Sequence, residues 1–329
     1  LNSGNESPDF LLLGNRNNFL SYRFSMMRLH SHSSNNRNTE FFDQITDRAL
    51  TDGGFAPLPG GDYRPDATCW AILALSGNSQ YKSMVAQACN RLASDQSSDG
   101  RLTLSPVHPY TIWPTSLAVL AWLCSPEHRA NLIKAANFLI ASTGTFFQDH
   151  STPPTGHDSS IKGWPWIADT HSWVEPTAMA VMALSLAGYG DHDRVKEGVL
   201  LLLDRQLPHG GWNVGNTIVF EQELRPMPLS TGIAMNALKD HTSPEMVDRS
   251  INYLQNKITN LRTPRSLAWS LLGLGAWNAR NCSTHLLIDA CLKNQERYGG
   301  YDTESLSLLS LAEKSPIGLE GIFPLVEKS

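Results

Sequence analysis

Three acidic residues stand at matching places in this chain of 329 residues: Asp66 in Arg64-Pro-Asp-Ala-Thr68, Glu175 in Trp173-Val-Glu-Pro-Thr177, and Asp302 in Tyr301-Asp-Thr-Glu304. Each lies two residues before the start of an alanine- or leucine-rich run. The same place before the other runs holds Trp113, Leu229 and Thr263. A carboxyl group so placed can act as a general acid, holding a proton and giving it to a reacting group. It can also cap a helix, where it accepts backbone N–H groups and favours the positive end of the dipole. A lone carboxyl in a dry pocket has its pKa raised, which keeps it protonated but makes it a weaker acid.

The runs that must position these groups begin at Thr68, Thr115, Thr177, Thr231, Arg265 and Glu304; Thr177-Ala-Met-Ala-Val-Met-Ala-Leu184 is typical. A second signature precedes several of them. In Gln206-Leu-Pro-His-Gly-Gly-Trp212 a Gln closes a helix, a Gly pair turns the chain and an aromatic restarts it. Gln295-Glu-Arg-Tyr-Gly-Gly-Tyr301 repeats the pattern, Gln96-Ser-Ser-Asp-Gly-Arg-Leu102 keeps part of it, and Gly53-Gly-Phe55 has Ala49 in place of the Gln. The Gln amide can bond freed carbonyls or the next helix, and the aromatic can stack against it. Self-similarity of this kind predicts helix pairs that bury their apolar faces only by stacking on one another.

Runs and turns together resemble the Gln-Trp repeat of the squalene and oxidosqualene cyclases, shared in looser form with protein prenyltransferase β subunits. The resemblance spans Phe41 to Ala312. It implies an all-α protein, an α/α toroid (α6/α6 barrel) of about six helix pairs, with inner helices around a central cavity. It also implies chemistry, because these cyclases protonate a polyene with the central carboxyl of an Asp-x-Asp-Asp-Thr motif. Asp66 takes that central place, while Arg64 stands for the first Asp and Ala67 for the third. On this resemblance Asp66 donates the proton to an isoprenoid, Glu175 or Asp302 assists, and Trp70, Trp113 and Trp173 steady the cation. No cofactor is called for.

Two other functions fit the same sequence. One is a non-catalytic toroid that binds a lipid or a peptide. The other is an isoprenoid-diphosphate transferase without the zinc site, for which Arg64, Arg225 and Arg265, with Lys162, would converge at the rim. A zinc transferase is rejected: Asp289-Ala-Cys291 has a ligand-like spacing, but no His follows it. The cluster of His150, His157, Asp158, Asp169, His171 and Glu175 matches no metal-ligand spacing and reads as a polar loop.

A net charge of −5, with basic residues scattered, gives no case for nucleic acid. Five cysteines without a CxxC pair suit a reducing compartment, hence a cytoplasmic protein. Residues 1–40 are polar and aperiodic apart from Phe19 to Met27. They read as a flexible leader with a possible membrane-surface contact, and 41–329 as one toroid domain. Every long loop precedes an inner helix, so the loops should gather at one rim. The longest, Trp212 to Leu229, reads as a lid.

Overall fold

The computed structural model describes residues 41–147 and 156–323. The leader at 1–40 and His150 lie outside these residues. Six helices carry the runs: α1 (Pro65–Leu75), α3 (Pro114–Leu123), α5 (Val174–Leu184), α7 (Pro228–Leu238), α9 (Pro264–Ala276) and α12 (Thr303–Lys314). Between them come α2 (Lys82–Asp95), α4 (Arg129–Ala141), α6 (Asp193–Asp204), α8 (Pro244–Lys257), α10 (Thr284–Leu292) and the short α11 (Gln295–Tyr298). The only sheet among the described residues is a hairpin, β1 (Ile218–Val219) with β2 (Gln222–Glu223).

The two sets differ because their sequences differ. All eleven residues of α1 are buried, as expected of a helix that is apolar all round. In α2 the buried residues are Val85, Ala88, Cys89 and Leu92, one stripe at helical spacing. So the first set lies inside and the second outside. α1 packs on α3, α3 on α5, α5 on α7, α7 on α9, α9 on α12, and α12 returns to α1. The sixth outer place is taken from the other end of the chain, by the helical residues 41–46. Phe42 there packs edge-on against Tyr81, with centroids 5.3 Å apart, and beneath the Lys314 ammonium that ends α12. The result is a closed α6/α6 toroid. No helix among the described residues is long and apolar enough to cross a membrane.

The recurring Thr is an anchor. Thr68, Thr115, Thr177 and Thr231 each accept, through Oγ1, the backbone N–H of Phe55, Leu102, Trp164 and Trp212, at 2.9–3.1 Å. This ties the residue after each glycine turn to the inner helix of the same repeat. The turn itself rests on the following outer helix. Gly100 and Gly210 have φ near +90°, and a Cβ on either would stand within 2.6 Å of backbone at Lys134 or Arg249. The Gln206 and Trp212 side chains bond different helices. The Gln206 amide donates to Met246 O and Ser250 Oγ of α8, while the Trp212 indole N–H bonds Leu202 O.

The inner helices begin one to three residues before the positions expected from the runs, because proline opens four of them. Pro needs no N–H at the first position and arrives with helical φ. The earlier starts correct the register of the last two repeats. The first helical bonds run from Thr68 to Arg64, Thr177 to Trp173, Thr231 to Met227, Leu267 to Thr263 and Leu306 to Asp302. Leu267 and Leu306, not Arg265 and Glu304, therefore stand where the Thr stands. The matching position two residues earlier holds Arg265 and Glu304 instead of Thr263 and Asp302.

Candidate active site at the toroid mouth

In true register, the starts of the inner helices present Asp66, Trp113, Glu175, Leu229, Arg265 and Glu304 in ring order, Trp113 as the residue that precedes α3 and the others within the first turn. Asp66 is 8% exposed, and both its oxygens accept from Arg64, Nε to Oδ1 and Nη2 to Oδ2, each at 2.8 Å. Arg64 thus explains the place it takes in the motif: a clasp replaces a second acid. Arg265 reaches the next helix, with Nη2 2.8 Å from Asp302 Oδ2 and 2.7 Å from Glu304 Oε2. Burial works against the Arg265 charge, but Glu304, Asp302 and Asp66 outweigh it and raise its pKa.

The carboxylates are treated unequally by these surroundings. Glu304 is pushed up to about 7, chiefly by burial. Arg265 opposes the shift, while the charges of Asp302, Asp66 and Glu175 add to it. Glu175 is raised by burial, against the pull of Arg265 and of Ser230, whose hydroxyl donates to Oε1 at 2.8 Å. Burial would raise Asp302 as well, but hydrogen bonds from Ser305 and the Arg265 charge bring it below its ordinary value. Asp302 is a true helix cap, its Oδ1 accepting the Ser305 N–H at 2.8 Å. Asp66 and Glu175 sit inside the first turn and receive no such bond from their own helices.

One turn deeper, the wall is aromatic on one side. Trp70 and Trp269 lie four residues after Asp66 and Arg265, on helices that are not neighbours in the ring. Their rings meet edge to face at 6.0 Å, with 3% and 2% exposure. They occupy the interior below the charged groups. On the other side Leu117, Met179 and Ile233 take the corresponding places, and Met179 is only half-buried. Trp113 packs edge-on against Trp166 from the neighbouring rim loop at 5.8 Å. Trp173 stands just before α5 and lies over Gly215.

Not every expected partner converges. Lys162 pairs with Glu197 of the outer helix α6 and sits over the Phe146 ring. Arg225 is exposed on the loop before α7. Arg64 and Arg265 are engaged by carboxylates, so a rim cradle of four free cations does not form. His171 bonds Thr145 and tilts over Phe147, and Cys291 is a buried thiol beside Tyr301. The proposed lid is the β1–β2 hairpin, whose turn residues Phe220 and Glu221 are left-handed and whose Phe220 is 92% exposed. Its base is held to α5 by the bond from Val174 N to Val214 O.

Glu304 and Ser230 were not singled out by the sequence. Two signals bore on Glu304: Pro264, which marks the first position of α9, and Asp302-Thr-Glu-Ser305, which reads as a cap before a first turn. Nothing local marks Ser230 as the partner of a residue 55 positions away.

No family model and no curated protein matches the chain. Solved structures do. The type II terpene cyclase MstE from Scytonema is 12% identical, with a TM-score of 0.57 over 87% of this chain and 98% of that one. A protein from Actinoplanes is 14% identical, with a TM-score of 0.56 over 87% and 99%. The α-1,6-mannanase GH76A of Salegentibacter sp. HEL1_6 is 12% identical, with a TM-score of 0.55 over 86% and 98%. At such identities the likeness establishes the shared toroid.

Proposed function

We propose that the chain is a terpenoid-cyclase-like enzyme that starts the cyclisation of an isoprenoid by protonating it at the toroid mouth. One observation carries this reading: Asp66, Glu175, Asp302 and Glu304 gather with Arg265 where the inner helices begin, above a wall of Trp, Leu, Ile and Met side chains. A proton donor needs a carboxyl that is neutral near working pH and a counter-charge for the carboxylate left behind. This mouth offers both. The Scytonema cyclase shares the toroid, and one of its variants has been seen with geranylgeranyl dihydroxybenzoate, a prenylated substrate.

A diphosphate substrate suits the site poorly, because its charge would face carboxylates whose arginines are already engaged. The non-catalytic alternative would leave the unequal carboxylates without a task. The exposed Val107, Tyr110, Ile167 and Phe220 on the rim loops suit contact with a lipid surface from which an isoprenoid could enter. Five unpaired cysteines suit a cytoplasmic location.

A second reading, cleavage of a saccharide, is favoured by the rim aromatics: Trp113 packs on Trp166, and Tyr110 beside them is exposed. A carboxyl pair with unlike proton affinities is also what glycoside cleavage uses. Incubating the protein with a geranylgeranyl substrate and, separately, with α-1,6-mannotriose decides between them. The cyclase reading expects a cyclised isomer that Glu175→Gln and Asp66→Asn weaken. Release of mannose without isoprenoid turnover would replace it.

A further inference from the structure

We propose that Glu304, rather than Asp66, is the acid that carries and delivers the proton, with Arg265 as its counter-charge and the Arg64–Asp66 pair as a fixed neighbour. The proposal rests on the cyclase reading above and names its donor.

The geometry points to Glu304 by the way the four carboxylates are partnered. Asp66 gives both oxygens to one guanidinium, and a proton on either would break one of two charge-assisted bonds. Asp302 caps α12 through Oδ1 and binds Arg265 through Oδ2, so both its oxygens are held as acceptors. Glu175 accepts only the neutral Ser230 hydroxyl, and no salt bridge among the described residues would balance the carboxylate it left on giving up a proton. Glu304 meets the same Arg265 Nη2 as Asp302, through Oε2, which leaves Oε1 to bear the proton. Its side chain keeps 24% accessibility, enough for a substrate to touch it.

The charged groups facing it come from every side of the mouth: Arg265 on α9, Asp66 on α1, Glu175 on α5 and Asp302 before its own helix. Two arginines stand among four carboxylates. One proton halves the excess of negative charge, and Glu304 is where it is bound at least cost to existing bonds. The environment agrees with that placement, since burial lifts Glu304 to about 7 while Arg265 limits the rise.

The step balances. The π electrons of the terminal alkene form a new C–H bond with the Oε1 proton, and the O–H pair stays on oxygen. The adjacent carbon becomes the cation that the chain then attacks. The new Glu304 carboxylate is stabilised by Arg265, already 2.7 Å from Oε2. Loss of a proton from the final cation to water ends the cycle, and Glu304 is reprotonated from solvent.

Two measurements test this. Infrared difference spectra of the ligand-free protein between about pH 5.5 and about pH 8.5 report a carboxyl that loses its proton near neutrality. The expected band is present in the wild type and in Asp66→Asn, and absent in Glu304→Gln. With a geranylgeranyl substrate, Glu304→Gln should lose about 100-fold or more in kcat, Glu304→Asp should recover part of it, and Asp66→Asn should lose about tenfold. Wild-type turnover should fall as pH rises past about 7. A neutral-range band that survives Glu304→Gln and vanishes in Asp66→Asn would overturn the assignment, as would an active Glu304→Gln beside a dead Asp66→Asn. If no variant, wild type included, turns over the isoprenoid, the cyclase reading fails, and the infrared result still decides whether Glu304 holds the proton.

Discussion

The mouth of the toroid has two unlike arcs built on one scaffold. Along α9, α12 and α1 stand Arg265, Glu304 and Asp66, joined by Arg64 and Asp302 and closed below by Trp70 against Trp269. Along α3, α5 and α7 stand Trp113, Glu175 and Leu229, over Leu117, Met179 and Ile233. The backbone offers an equivalent position at the start of every inner helix, so the arcs differ in the side chains placed there and in what their neighbours supply. Glu175 and Glu304 occupy equivalent places and are both raised by burial. Yet Glu175 bonds a hydroxyl and feels Arg265 without pairing to it, whereas Glu304 pairs directly with that guanidinium and faces three further carboxylates. Register delivers a carboxyl to the mouth; partners decide which one keeps a proton.

The largest expected contrast concerns the floor beneath each arc. Trp70→Ala or Trp269→Ala removes a buried indole from a ring–ring contact and should cost about 3–5 kcal/mol. Trp113 is half-buried, so Trp113→Ala should cost roughly 1–2 kcal/mol. Urea melts of the three variants check this. Equal losses would mean that the interior is no better filled under the charged arc.

Next is the charge balance. Arg265→Met leaves Asp302 and Glu304 without their shared cation. A carboxyl whose native pKa is raised binds more protons folded than unfolded, so stability is lost as pH climbs from the ordinary carboxylate range to the raised value. Removing Arg265 raises Glu304 further and deepens that loss. Asp302, held low in the wild type, contributes stability above its unfolded pKa that is lost as pH falls through its folded value, and the variant forfeits part of it. Arg265 is 44% exposed, so solvent screening limits the total to about 1–2 kcal/mol. Melting temperatures at pH 5 and pH 8 should show a larger deficit at pH 8 for Arg265→Met, and a smaller pH effect for Glu175→Gln on the other arc.

A helix cap contributes less. Asp302→Ala should cost about 1 kcal/mol for the lost bond to Ser305, besides whatever Arg265 supplied. Asp66→Ala has no cap bond to lose. A stability loss in Asp66→Ala that persists in an Arg64→Ala background would show that Asp66 serves its helix and not the clasp.

Much of the scaffold was legible because its causes are local. Prolines, apolar runs and glycine turns each specify short-range geometry, and the ring follows once every helix pair must bury a face. The recurring Thr was legible as a marker, but not as the anchor of the preceding turn, since that bond joins residues 13–19 positions apart. The site was half legible. Asp66, Glu175 and Arg265 could be named, yet the last two repeats were read two residues early because Leu267 and Leu306 replace the anchoring Thr. That slip put Asp302 in the column and left Glu304 out. The Ser230 hydroxyl on Glu175 and the meeting of Trp70 with Trp269 depend on side chains brought together by the packing of the ring, and sequence spacing carries no trace of it. The Arg64 clasp is local, two residues from Asp66, but which rotamers would meet is not written in the spacing.

The smallest effect sharpens the comparison most directly, because it alters one partner of one carboxyl. Ser230→Ala removes the hydroxyl that donates to Glu175 Oε1 and leaves the charged arc untouched. That bond favours the ionised form, so its loss should raise the Glu175 pKa further. The stability cost should appear where Glu175 is charged, about 0.5–1 kcal/mol at pH 8, and shrink toward pH 4 where both states hold the proton. Under the assignment of the proton to Glu304, turnover by Ser230→Ala should keep the wild-type pH profile, with at most a small change in KM. If instead the fall in kcat with pH moves upward together with Glu175, the two arcs are not independent. The proton would then belong to a pair of acids facing each other across the mouth, and titrating the double variant Ser230→Ala, Glu304→Gln would show which of them still sets the profile.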